Sequence, residues 1–146
     1  MEPLTFYFDR NFGKGLPTAL LALKLKVVHH HAKKAELGIS CRNRKEQLFK
    51  PDTDDDEWLR YVGEKGWIAF SHDEKFHLPG YENEMAAIKQ FGVGCFYLWG
   101  ANAKCHDKAL CFLRAYDQIV HAVNTTPKPF IYKIDKSGKL SKVAIP

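Results

Sequence analysis

The sequence predicts an α/β fold built on a largely parallel sheet, and three observations predict it. Short apolar runs with strand character alternate with helix-periodic segments along the chain, the pattern of βαβ units. The run Val93-Gly94-Cys95-Phe96-Tyr97-Leu98-Trp99 is almost continuously apolar, as expected of a central strand covered on both faces. Late in the chain, Asp135-Lys136-Ser137-Gly138-Lys139 separates two further apolar runs, a turn signal that predicts a closing β-hairpin.

The elements follow in order. Leu4-Thr5-Phe6-Tyr7-Phe8 is the first strand and runs straight into Asp9. Gly13-Lys14-Gly15-Leu16-Pro17 opens a helix, since proline fits a first helical turn, and Leu16, Ala19, Leu20 and Leu23 recur at helical spacing. Residues 25–29 read as a second strand that completes a βαβ unit. Residues 30–50 show no clear period apart from a short helical stretch at 32–37 that Gly38 would stop. Loops of that length in compact domains are often functional or mobile. Thr53 or Asp54 is positioned to cap a helix through about residue 64, with Trp58, Leu59 and Val62 on its buried face and Lys65-Gly66 at its end.

A third strand is expected at 67–71, followed by a loop through Pro79-Gly80. A helix at 83–91 then turns Met85, Ile88 and Phe91 inward, with Gly92 as its stop. After the central strand at 93–99 comes a long helix, about 105–124, carrying Leu110, Leu113, Ile119 and Val123, and Pro127 and Pro129 end it. Residues 130–134 and 140–145 form the hairpin.

With 146 residues, 45% hydrophobic and 13% aromatic, the chain has the composition of one globular domain with a substantial core. No apolar run approaches the roughly 20 residues that span a bilayer, and Met1-Glu2-Pro3 lacks the basic start of a signal peptide. The expectation is a soluble, cytoplasmic protein. Cys41, Cys95, Cys105 and Cys111 have no CxxC spacing, which argues against a zinc site or a disulfide framework, and Cys95 reads as a small core residue. The net charge of +5 is unevenly spread. Lys24, Lys26, Lys33, Lys34, Arg42, Arg44, Lys45 and Lys50 precede an acidic segment, and Lys133, Lys136, Lys139 and Lys142 gather near the end. Basic surface beside a negative pocket suits a polyanion whose cleavage needs metal ions, although lysines that serve only solubility account for the same pattern.

The acidic residues carry the functional signal. Ligands of open parallel sheets bind outside the carboxyl ends of the strands. Asp9 ends the first strand and Asp73 follows the third, so both belong to that edge. Between them Pro51-Asp52-Thr53-Asp54-Asp55-Asp56-Glu57-Trp58-Leu59 opens a helix. Each helical residue turns the side chain by about 100°, so these acids cannot all face one point, and some serve the helix dipole. Carboxylate oxygens suit Mg²⁺ or Mn²⁺, and such an ion activates water for phosphodiester hydrolysis. The simpler account remains open: Asp9 as a cap on the turn at Asn11, and residues 52–57 as helix capping plus solubility.

Three segments in this order are similar to those of a known family: Phe8-Asp9-Arg10-Asn11-Phe12-Gly13, the 51–59 segment, and Gly66-Trp67-Ile68-Ala69-Phe70-Ser71-His72-Asp73. With Phe91-Gly92-Val93-Gly94-Cys95-Phe96-Tyr97-Leu98 and Pro129-Phe130-Ile131-Tyr132, the chain resembles PIN-like domains, specifically the VapC-type toxin ribonucleases and their small bacterial relatives. The resemblance spans about residues 4–134. It implies a single three-layer α/β/α domain over 1–146, with the hairpin at about 128–146. It also implies a metal-dependent endoribonuclease, the toxin of a toxin–antitoxin pair.

By that resemblance Asp9, Asp55 and Asp73 are the catalytic acids and metal ligands, with Asp55 singled out by the register of Trp58-Leu59. The fourth acid falls in the region of Glu82 and Glu84, with Glu84 the candidate ligand. Arg10, Asn11, His72 and Asn102 contact substrate, Asn102 being also a neutral ligand candidate. The cofactor is Mg²⁺ or Mn²⁺, and the partners are RNA, a cognate antitoxin and a second copy of the chain. In two places the sequence departs from the family pattern: His72 stands where relatives often carry Arg, and the loop at 33–50 is longer than usual.

Other motifs weigh less. His29-His30-His31 ends a strand, so alternation sends His29 and His31 to one side and His30 to the other. Gly13-Lys14-Gly15 is too short for a phosphate loop. Phe8-Asp9-Arg10-Asn11 is similar to an aspartyl-nucleophile site but lacks its second acid two residues on. Two rival functions remain: a binding module on the same fold without catalysis, and a phosphatase or other small-molecule metal hydrolase.

Overall fold

A computed structural model describes residues 4–146; Met1, Glu2 and Pro3, where the sequence was read for a leader, lie outside the described residues. The expected α/β architecture is present. In chain order the elements are β1 (Thr5–Phe8), α1 (Gly15–Ala22), β2 (Lys26–His29), a 3-10 helix (Lys34–Leu37) and α2 (Asp55–Lys65). Then come β3 (Ile68–Ser71), α3 (Glu82–Phe91), β4 (Gly94–Leu98), α4 (Cys105–Thr125), β5 (Phe130–Ile134) and β6 (Leu140–Val143). The sheet runs β2-β1-β3-β4-β5-β6, parallel except for the antiparallel β5–β6 hairpin.

Alternation along the strands divides the core into two layers. Phe6, Phe8, Ile68, Phe70, Phe96 and Leu98 pack with α1 and α4 on one face. Tyr7, Ala69, Cys95 and Tyr97 pack with Trp58, Leu59 and Val62 of α2 and Met85 and Ile88 of α3 on the other. The first layer contains an aromatic row the sequence reading missed. Phe8, Phe70, Phe96 and Tyr132 stand at matching register on four neighbouring strands. Their rings stack in turn, with centroids 5.0, 5.2 and 5.7 Å apart. Such pairs contribute about 0.5–1.5 kcal/mol each beyond burial, and this row fixes the relative height of β1, β3 and β4. Phe8, the last residue of β1, pairs with Phe70, one residue before the end of β3.

Helix stops behave as expected: Gly66 and Gly92 close α2 and α3 at φ +71° and +63°, a conformation that costs a residue with a Cβ. Three expectations change. The buried stripe of α4 is Cys111, Phe112, Ala115, Ile119 and Ala122, so Leu110 and Leu113 face outward, 46% and 43% exposed. An apolar residue count alone does not say which of two neighbouring stripes meets the sheet. Phe91 is half-buried at the end of its helix, and β6 stops two residues short of the predicted strand end.

The 30–50 segment is pinned to itself. The amide of Lys34 donates to the Glu46 carbonyl, that of Leu48 to the Ala32 carbonyl, and the Lys34 ammonium meets Glu46 at 2.7 Å. Part of the predicted basic surface is thus neutralised in place, as it is where Lys133 meets Glu74 at 3.0 Å.

Candidate functional site

The strand order reverses at β1, which pairs with β2 on one side and β3 on the other. The carboxyl ends of β1 and β3 therefore flank a topological switch point, where α/β sheets open a ligand crevice. Asp9 follows β1 directly, and its amide donates to the Phe70 carbonyl at 3.2 Å. Asp73 lies two residues beyond β3, where its amide donates to the Ser71 hydroxyl at 3.1 Å. Asp55 is the first residue of α2.

The three aspartates form a gradient of exposure. Asp9 is 3% exposed, and the side chains of Asp55 and Asp73 are 13% and 45% exposed. Asp9 is thus the most buried of the three and Asp73 the most open to solvent. Burial pushes the Asp9 carboxyl up to about 7, against the lowering effect of bonds from Ser71 and the Asn11 amide, and the nearby charges of Asp73 and Asp55 raise it further. That mutual influence places the three acids in one electrostatic neighbourhood. Beneath Asp9, the Tyr7 hydroxyl is driven well up by burial, with Asp9 and Asp55 adding to it.

The Asp-x-x-Trp spacing now has a physical reason. Trp58 is fully buried, and its indole N–H reaches back one turn to donate to Asp55 Oδ1 at 2.8 Å. The residue that anchors α2 to the sheet also aims Asp55. Asp54 occupies the N-cap position but makes no side-chain cap bond, so the remaining acids of the run serve the dipole of the first turn.

Arg10 and Asn11 tie the crevice together. Arg10 Nη1 donates to the carbonyls of Pro51 and Thr53, both at 3.2 Å, and its Nη2 lies 3.9 Å from Asp55 Oδ1. It latches the loop after β1 to the segment that opens α2. The Asn11 amide donates to Asp9 Oδ1 at 3.1 Å, and its side-chain amide donates to Asp73 Oδ2. The turn cap on Asp9 that the sequence allowed is therefore present alongside the acid cluster.

Lys75 was not singled out from the sequence, and it is central. Its ammonium lies 2.9 Å from Asp55 Oδ2 and 3.8 Å from Asp73 Oδ2. Burial pulls its pKa down, but the bond and charge of Asp55, with Asp73 and Tyr81, outweigh that and the net shift is upward. Its position two residues after Asp73 was the available signal. Ser71, whose hydroxyl accepts from the Asp73 amide and which lowers the Asp9 pKa, was also missed.

The other expected site residues are placed differently. His72 turns to the opposite face, 8% exposed, its Nδ1–H donating to the Leu98 carbonyl at 2.8 Å and its ring stacked on Phe12. Burial lowers its pKa, and its Nε2 has no hydrogen-bond partner. Glu84 stands in the first turn of α3, and among the described residues no hydrogen bond or ion pair joins it to the aspartates. Glu82 accepts from the Gly80 amide and lines a separate cavity of about 500 Å³ with Phe76, Tyr81 and Met85. Asn102 is exposed in the turn between β4 and α4.

The histidine triplet divides as alternation requires. His30 is buried, its Nε2–H donating to the Lys50 carbonyl while its Nδ1 accepts from Tyr7. The rings of His29 and His31 sit together, 5.1 Å apart.

The donors suit a hard divalent cation in kind: carboxylates from three elements, with the deepest one desolvated and short of positive charge. In arrangement Lys75 already takes the place between Asp55 and Asp73. Among the described residues no group of three or more His, Cys, Asp or Glu side chains stands close enough to hold a metal ion. An ion shared by Asp55 and Asp73 therefore requires Lys75 to withdraw. Among the described residues no helix is long and apolar enough to cross a membrane.

A family model described as a PIN like domain matches residues 4–100, a span that contains all three aspartates and Lys75. No curated protein and no solved structure matches the chain.

Proposed function

The chain belongs to the PIN-like domain family, and from that premise we propose that it is a metal-dependent endoribonuclease, the VapC-type toxin of a cytoplasmic toxin–antitoxin pair. The observation that supports the reading is that Asn11 bonds both Asp9 and Asp73, and Lys75 contacts both Asp55 and Asp73, beside the switch point of the sheet. In this reading these aspartates hold Mg²⁺ or Mn²⁺. The bound ion supplies Lewis acidity for hydrolysis of an RNA phosphodiester.

The chain's own residues do the rest. Trp58 fixes the Asp55 carboxylate, Asn11 couples Asp9 to Asp73, and Arg10 holds the two loops at one distance. The stacked Phe8–Phe70 pair ties β1 to β3 near their carboxyl ends. Asp9, whose pKa burial raises to about 7, would hold the ion in its deprotonated form. An antitoxin would silence the centre by offering a basic side chain to the same carboxylates. The test is Mn²⁺-dependent cleavage of single-stranded and structured RNA by the pure protein. We expect cleavage that chelator abolishes and that Asp9→Asn lowers by about a thousandfold, equivalent to about 4 kcal/mol of barrier. Equal rates for the two proteins would overturn the assignment.

One observation favours a second reading, a PIN-like module that binds RNA or a protein without cutting. Lys75 stands between Asp55 and Asp73 and Arg10 adds a second positive charge beside Asp55, so the two carboxylates are balanced from within the chain. Calorimetry separates the two readings: absence of heat with sub-millimolar Mn²⁺ selects the binding module.

A further inference from the structure

Lys75 makes the acidic crevice a paired site rather than an open one. Its ammonium is 2.9 Å from one Asp55 oxygen and 3.8 Å from one Asp73 oxygen, and the lysine side chain is 25% exposed. The Phe76 and Tyr81 rings lie 5.8 and 5.6 Å from the same nitrogen and add cation–π attraction. Asp55 is meanwhile fixed from behind by Trp58, so the lysine is the movable member of the pair. A long unbranched side chain at the rim can swing away by rotamer change alone, whereas Asp55 cannot follow without unseating a buried indole.

We propose that Lys75 is an exchangeable resident cation of the centre: it occupies the place between Asp55 and Asp73 in the metal-free protein, and a divalent ion enters by displacing it. The proposal rests on the reading of the three aspartates as metal ligands. Two like charges cannot share that space, so each ion bound must break the Lys75–Asp55 contact. Lys75 thereby sets the affinity of the site and excludes weakly held ions, with no change in the fold.

The experiment is calorimetric titration of Mn²⁺ into the wild-type protein and Lys75→Met, which removes the ammonium and keeps an unbranched side chain one atom shorter. The expected result is binding to both, at least tenfold tighter in the variant. A wild-type measurement stands beside it: labelling of Lys75 by an amine-reactive reagent, read by peptide mass spectrometry, should rise several-fold on saturation with Mn²⁺. Equal or weaker binding by Lys75→Met, or labelling that Mn²⁺ leaves unchanged, overturns the exchange while leaving the metal reading intact. No Mn²⁺ binding by either protein overturns both.

Discussion

The two sides of the sheet's carboxyl rim treat buried ionisable groups in opposite ways. On the α2 side, Asp9, Asp55 and Asp73 are answered by Lys75, Asn11, Arg10, Ser71 and the Trp58 indole. On the α4 side, His72 lies against Phe12 with a single bond to Leu98 and one nitrogen unanswered. One loop, Ser71-His72-Asp73, supplies both sides because successive side chains alternate. Desolvation acts on each, but its sign depends on the group: it holds a proton on Asp9 and takes one from His72. Charge is paired on the α2 side, where Lys75 and Arg10 face Asp55 and Asp73, whereas His72 Nε2 on the other side has no partner.

The comparison can be broken most severely at Trp58. Trp58→Ala empties a fully buried site under α2 and releases Asp55 as well. A loss of about 3–5 kcal/mol is expected from the cavity alone, read as a fall in the urea midpoint with unchanged slope.

The sign of the Asp9 shift gives a second prediction. Its folded pKa of about 7 lies above the usual 3.8, so the native state binds the extra proton between those values. The Asp9 contribution to stability is therefore intact at low pH and is lost as pH rises from about 4 to about 7. At about 1.36 kcal/mol per unit, the metal-free wild type should lose roughly 2–4 kcal/mol relative to Asp9→Asn between pH 4.5 and 8. Parallel melting temperatures for the two proteins across that range would contradict the shift.

The mildest change sharpens the neutral side. His72→Phe keeps the ring against Phe12, removes the unanswered nitrogen and gives up the bond to Leu98. A cost of about 1 kcal/mol is expected, since one buried bond is lost and one desolvated atom relieved. RNA cleavage should stay within twofold of wild type; a hundredfold loss would return His72 to the substrate.

Much of this was legible in the chain. The alternation of strand and helix signals gave the parallel sheet and its hairpin because hydrophobic period is a local property. The positions of Asp9, Asp55 and Asp73 at strand ends and a helix start were legible because an α/β sheet presents polar groups there, and the resemblance singled out Asp55 among the acids of its run. Lys75 was hidden because a lysine in a loop ordinarily faces water, and only the fold brings Asp55, separated by the whole of α2 and β3, onto the same nitrogen. His72 was read with Asp73 because sequence adjacency is not spatial adjacency across a pleated strand.

The sequence by itself thus determined the layers, the sheet and the presence of acids at its rim, since each follows from short-range periodicity and from the cost of burying charge. The tertiary structure alone decided which acid lies deepest, which side chain aims Asp55 and which cation already stands among them. Those depend on register between strands and on contacts across long stretches of chain, and no local pattern encodes the distance between two loops.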